Sequence, residues 1–246
     1  MRRMFPVLMI ASALGILNAQ GLREEFHQSY PLSPNGRVIL KNVNGLVRVT
    51  GWDRAEVQVN AVKEAETQQA LDEARIEINA GGDMIDIRTR YPEGERRHAA
   101  SVDYTISVPR TAVLETINTV NGSVRIEGVA GPVKAGSVNG DVEVQGALGE
   151  VDLTSVNGRV RAAFDQALAQ GVSLHTVNGA VDVALPANAG AQLVASTVHG
   201  SIDSEFDLPV RRMGFGPGAD IRATIGGGGP QVKLNTVNGS IHLRRR

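Results

Sequence analysis

The sequence predicts an all-β protein, a parallel β-helix-like solenoid whose coils of 18 to 21 residues turn at Val-Asn-Gly corners. Three observations predict it. The tripeptide stands at residues 43–45, 120–122, 138–140, 156–158, 177–179 and 237–239, with Val198-His199-Gly200 as a seventh copy, at intervals of 77, 18, 18, 21, 21 and 39 residues. Counted from each Val as position zero, positions −5, −3, 0, +4 and +6 are mainly apolar: Val133, Ala135, Val138, Val142 and Val144 in one copy, Val151, Leu153, Val156, Val160 and Ala162 in the next, and Val232, Leu234, Val237, Ile241 and Leu243 in the last. Glu115 at −5 and Ser204 at +6 are the exceptions. Composition agrees: 42% of residues are hydrophobic but only 4% are aromatic, and 28 are Gly, so small aliphatic side chains fill the interior between many turns.

The elements follow in chain order. Arg2, Arg3, the apolar run from Phe5 to Leu17 and Asn18-Ala19 have the parts of a secretory signal spanning residues 1–19, and the run is too short to cross a bilayer. Without it the formal charge moves from −1 to −3, a balance with no general attraction for nucleic acid. Residues 20–110 read as an N-terminal β segment continuous with the solenoid. Within it Arg37 to Val49 matches one coil, Glu56 to Val62 alternates as a strand, Thr67 to Ala74 forms one short helix on Ala70, Leu71 and Ala74, and Val102 to Pro109 alternates again. Residues 111–246 are the Val-Asn-Gly array, and the long last interval predicts one unmarked coil between His199 and Asn238.

Asn-Gly between two strands is also a strong hairpin signal, which makes an antiparallel meander or sandwich the alternative. Parity decides against it. A two-residue turn would put Val138 on the face of Asp141 and opposite Val142 and Val144, sending a repeated Val to solvent. A corner that keeps Val138 and Val142 both inward predicts stacked parallel coils, with the asparagines in a hydrogen-bonded ladder. Gly at +2 is expected from a positive φ there. Ser or Thr at −1, in six copies, is expected from a crowded corner.

Gly51-Trp52-Asp53 after the first copy, Val102 to Pro109, the serial Val-Asn-Gly coils, and Thr224 to Pro230 before the last copy together resemble the bacterial putative-adhesin family of exported β-strand-repeat proteins of unknown function. The resemblance covers residues 27–246, and it implies a solenoid-like β fold and an envelope or surface role. It supplies no catalytic residue.

Nothing in the sequence assembles a catalytic, cofactor or metal site. With no Cys there is no disulfide, thiolate ligand or Cys nucleophile. The five histidines, His27, His98, His175, His199 and His242, lack zinc-helix spacing; His175 and His242 are expected to face solvent, and His199 to replace Asn at a turn. At +5 the coils carry Arg125, Glu143, Arg161, Asp182 and Asp203, so neighbouring coils pair opposite charges except where Asp182 meets Asp203. Gly226 to Gly229 runs into Pro230 rather than a lysine, unlike a phosphate loop, and Gly216 to Asp220 is half a calcium nonapeptide without its tandem copy. Arg211-Arg212 and Arg244 to Arg246 could meet anionic lipid, or guard the terminal edge of the solenoid.

The reading these observations support is a non-enzymatic, exported, adhesin-like surface for binding or scaffolding in the cell envelope. Its expected partner is an envelope component, a glycan, lipid headgroup or protein. The alternatives are a polysaccharide-active enzyme using acids such as Asp182 and Asp203, and an assembly or stress factor that binds a protein through residues 205–230.

Overall fold

The computed structural model describes residues 21–92, 100–212 and 218–246. The secretory signal, His98 and the first two residues of the Gly216 to Asp220 motif lie outside the described residues. The chain opens with β1 (Leu22–Pro31), β2 (Arg37–Lys41), β3 (Val47–Trp52), β4 (Glu56–Ala65), α1 (Gln68–Glu73), β5 (Arg75–Gly81), β6 (Met84–Arg90) and β7 (Ser101–Pro109). Paired strands of successive repeats follow: β8 (Val113–Asn121) with β9 (Val124–Glu127), β10 (Val133–Asn139) with β11 (Val142–Gln145), β12 (Val151–Asn157) with β13 (Val160–Ala163), β14 (Val172–Asn178) with β15 (Val181–Leu185), and β16 (Ala191–His199) with β17 (Ile202–Ser204). The chain closes with β18 (Arg211–Arg212), β19 (Ala219–Ile225), β20 (Gln231–Asn238) and β21 (Ile241–Arg245).

Each Val-Asn-Gly separates two strands that join different sheets, so the tripeptide is a corner and the hairpin alternative fails for the repeats. One sheet runs β1-β4-β7-β3-β9-β11-β13-β15-β21-β17, the other β18-β19-β16-β20-β14-β12-β10-β8-β2-β6-β5. Equivalent strands of neighbouring repeats pair in parallel and in register, Val142 on Val124 and Val160, Val151 on Val133 and Val172. Antiparallel strands finish the stack, β1 and β4 at one end, β5 beside them on the other sheet, and β18 and β19 at the far end. One hydrophobic core runs from Leu32 to Leu243 between the sheets. The short helix forms as the sequence expects: the Thr67 side chain accepts from the Ala70 N–H, and Ala70 and Leu71 are buried.

The corner differs from its expected form in three ways. First, Val at position zero points outward. Val120, Val138, Val156 and Val198 are 38 to 48% exposed. The strand keeps its alternation unbroken, so −5, −3 and −1 face inward, and the residue buried at the corner is Thr119, Ser137, Ser155, Thr176, Thr197 or Thr236. Each of these hydroxyls donates to the carbonyl of the glycine in the preceding corner, Ser155 to Gly140 at 2.9 Å and Thr176 to Gly158 at 2.8 Å. A corner carbonyl that turns away from the sheet ladder thus keeps a partner, which a Val there could not supply.

Second, Gly at +2 is required by contact rather than by φ. Only Gly45 and Gly239 have positive φ, 118° and 159°, the latter close to extended. A Cβ on Gly122, Gly140, Gly158, Gly179 or Gly200 would instead lie 2.0 to 2.2 Å from the glycine carbonyl oxygen of the adjacent corner. Stacked backbones meet there with no room for a side chain.

Third, the repeats do not stack in sequence order. Among the described residues between His199 and Asn238 there is no unmarked coil. That interval adds β18 and β19 to the far edge of the eleven-stranded sheet, and the chain then crosses back so that β20 and β21 enter between the repeat of β14 and β15 and that of β16 and β17.

The asparagine ladder forms as expected. Asn121 donates to Asn44, Asn139 to Asn121, Asn157 to Asn139, Asn178 to Asn157 and Asn238 to Asn178, all at 2.8 to 2.9 Å. Its sixth member is Asn238, and His199 stands beyond it as the last rung. Glu115 is explained by a bulge: Leu114 pairs with Val133 and Ile117 with Ala135, so Leu114 fills the inward −5 place.

Candidate functional site

The +5 residues form a single row across the ten-stranded sheet. Strand pairing sets its order as His27, Asn60, Thr105, Arg48, Arg125, Glu143, Arg161, Asp182, His242 and Asp203. Each projects from the outer face because the alternate residues of the same strands, such as Val142 and Val144 or Val181 and Val183, are buried. Opposite charges alternate in the middle. Arg125 and Arg161 flank Glu143 at 3.2 and 3.8 Å, exposed pairs worth up to ~1 kcal/mol each.

At the end of this row the structure corrects the expected like-charge contact. Asp182 and Asp203 are not neighbours, because β21 lies between them and brings His242 into the gap. His242 Nδ1 stands 2.6 Å from Asp182 Oδ1, and Nε2 stands 3.8 Å from Asp203 Oδ2. Arg159 reaches the second oxygen of Asp182 at 3.3 Å. The Ser201 hydroxyl donates to Asp203 at 3.0 Å and lies 3.2 Å from that of Ser240. A serine nucleophile would need its hydroxyl on the free imidazole nitrogen. Here the hydroxyl is directed to the carboxylate, so the cluster ties three repeats together rather than activating a nucleophile. Among the described residues no three His, Asp or Glu side chains converge as a metal site.

The other candidates have structural duties. His27 sits at the opposite end of the same row, with Nδ1 2.9 Å from Asn60 Oδ1 and Nε2 3.4 Å from Glu25. The hydrogen bond to Asn60, then that to Glu25, raises its pKa above the ordinary 6.5. His175 is exposed, as expected. Gly226 to Gly229 is a strap crossing the start of β16, where a Cβ on Gly190 would lie 2.2 Å from the Gly228 oxygen. The terminal arginines do not guard an open edge, since β21 is an interior strand. Arg244 pairs with Glu205 at 3.6 Å, Arg246 with Asp165 at 2.8 Å, and Arg245 lies over the Phe206 ring at 5.0 Å. Arg244 and Arg245 hold the segment that follows β17, and Arg246 holds the loop that follows β13. A cleft lined by Ala147, Leu148, Phe164 and Leu168 holds about 10 Å³, no more than one water.

Sequence reasoning missed the outward-facing column of valines, four exposed and three half-buried. Val43, Val120, Val138, Val156, Val177, Val237 and Val198 stack in that order along the eleven-stranded sheet, over ~29 Å at ~4.8 Å per strand. The signal was present in the unbroken period of two from −5 through −1, which puts zero outside. Among the described residues no helix is long and apolar enough to cross a membrane.

The model of a family described as Toastrack DUF4097 matches residues 35–244. A putative cell adhesion protein from Clostridium sporogenes ATCC 15579 superposes with a TM-score of 0.50 at 12% identity, over 90% of this chain and 100% of that one. A putative adhesin from Bacteroides fragilis NCTC 9343 has a TM-score of 0.36 at 12% identity, over 89% of this chain and 96% of its own. A putative lipid binding protein from Parabacteroides distasonis ATCC 8503 has a TM-score of 0.39 at 13% identity, over the same shares, 89% and 96%. None of the curated proteins matches.

Proposed function

Because the chain belongs to the Toastrack DUF4097 family, we propose that it is an exported, non-enzymatic protein of the cell envelope whose sheet faces act as an adhesin-like binding or scaffolding surface. The observation that carries this reading is the set of side-chain rows held in register by parallel pairing: the valine column, the asparagine ladder and the +5 row, each repeated at one strand spacing. We read the two sheets as the walls of a solenoid-like stack. Such a stack offers identical weak contacts at fixed intervals, and simultaneous engagement raises avidity without any deep pocket. The likeness to the cell adhesion protein from Clostridium sporogenes supports the same reading.

The test is co-sedimentation of the chain lacking residues 1–19 with isolated bacterial membrane, peptidoglycan and intact cells at low and high salt. Saturable binding to one fraction is expected, and its salt dependence reports the share carried by the charged row. Absence of binding to every fraction overturns the proposal. So does cleavage of an envelope glycan that is lost in Asp182→Asn or Asp203→Asn.

A further inference from the structure

The last repeat fills a slot that earlier parts of the chain create. Both walls of the slot are repeats of the same kind in the same register, Asn178 and His199 each opposite Asn238, and Val181 and Ile202 each opposite Ile241. In sequence order β16 and β17 would stack directly on β14 and β15. That order would set His199 on Asn178, ending the amide ladder there, and Asp182 against Asp203, a like-charge pair. The inserted order instead continues the ladder from Asn178 to Asn238 at 2.8 Å and puts His242 between the two carboxylates at 2.6 and 3.8 Å. Asn238 and His242 therefore address the last repeat to this slot. Gly239 is part of the address, since a Cβ there would lie 1.9 Å from the Gly179 oxygen.

The repeat arrives on a strap. β19 and β20 flank β16 on opposite sides, so residues 226–230 cross two strand spacings, ~9.6 Å. The crossing is made almost wholly of glycine backbone lying on Ala189 and Gly190.

We propose that residues 231–245 are an exchangeable closing repeat, and that the slot accepts the same repeat from a second copy of this chain, giving reciprocally swapped dimers. Every contact between the last repeat and its slot is the same in cis and in trans, so exchange changes only the strap and the translational freedom of two chains. The partner is a second copy because the slot selects a strand pair carrying Asn at the ladder position, Gly beside it and His four residues after the Asn. The chain's own C-terminal repeat has that pattern.

The chain has no Cys, so an introduced pair reports contact without background from native thiols. Ser173 and Lys233 are direct partners on β14 and β20, within the Cα separation a disulfide needs. A Ser173→Cys chain and a Lys233→Cys chain are mixed, unfolded in denaturant and refolded together under oxidising conditions at rising concentration. The expected result is a covalent heterodimer whose fraction rises with concentration and exceeds, at least severalfold, that from Ser173→Cys mixed with Lys134→Cys, whose side chain lies two strands from Ser173. A single chain carrying both Ser173→Cys and Lys233→Cys is expected to close an internal disulfide at low concentration, which establishes that the slot refolds. Heterodimer no greater than the Lys134→Cys background at every concentration overturns the proposal, as does failure of the double variant to close its internal bond.

Discussion

Replacing Gly158 by Ala places a methyl carbon 2.2 Å from the Gly140 carbonyl oxygen, where ordinary contact begins at 3.4 Å. The clashing atom belongs to backbone and cannot rotate away, so the corner must move by about 1 Å. It cannot move alone, because Thr176 donates to the Gly158 oxygen at 2.8 Å and Gly179 packs on that same oxygen. Overpacking of this kind costs about 1–3 kcal/mol. The loss of backbone freedom in the unfolded chain returns about 0.4–1 kcal/mol. A net destabilisation of about 1.3 kcal/mol is expected, which for a chain of this size lowers Tm by roughly 3–5 °C. Gly158 does not have positive φ, so the loss reads steric contact alone. Thermal and urea denaturation followed by circular dichroism measure it. The control is Val156→Asp, two residues away, where 41% exposure predicts a change within about 0.5 kcal/mol. A neutral Gly158→Ala, or a Val156→Asp loss larger than it, refutes the account of the corner.

Three further outcomes are expected. Thr176→Val keeps the buried shape but removes the hydroxyl that satisfies the Gly158 carbonyl, and urea denaturation should show a loss of about 1–2 kcal/mol. Asn157→Asp replaces the amide that donates to Asn139 by a carboxylate facing an acceptor, which costs about 1–2 kcal/mol at neutral pH; protonation restores a donor and the folded-state pKa is raised, so the difference from wild type should shrink as pH falls through that raised value and vanish below ~4. His27 should titrate above 6.5 in an NMR pH series; the stabilisation linked to its raised pKa is fully present below 6.5 and is lost as pH rises through the folded value, and Asn60→Ala should return it toward 6.5. An unchanged His27 titration in Asn60→Ala would show that the contact does not set it.

Much of this architecture is legible in the sequence because a stack repeats its chemistry. Val142, Val160 and Val181 are found in one column because they occupy one position of one frame, and the same logic finds Asn121, Asn139 and Asn157. The inward place of Ser155 is harder to read, because a buried hydroxyl competes with a Val as the obvious core residue until its acceptor, the Gly140 carbonyl, is known. The role of Gly158 needs the distance between two stacked corners, which a positive-φ argument on one corner does not contain. The order of repeats is the least legible feature. Asp182 and Asp203 are adjacent in sequence order, and only His242, 60 residues beyond Asp182, shows that another strand separates them. Long-range insertion leaves no local period to read, whereas its result, a completed ladder and a relieved like-charge contact, is plain once the strands are paired. The charged row is visible as a list of residues at +5, but its ends, His27 and Asp203, are joined only by sheet order.

The stacking order is the central claim, and disulfide trapping in the Cys-free chain tests it most directly. Val177 and Val237 stand opposite one another on neighbouring strands, whereas Val177 and Val198 are two spacings apart, ~9.6 Å. In dilute solution a Val177→Cys/Val237→Cys chain should close an internal disulfide under mild oxidation, and a Val177→Cys/Val198→Cys chain should keep both thiols free. Closure of the second pair with the first left open would show that the repeats stack in sequence order, and would contradict the account.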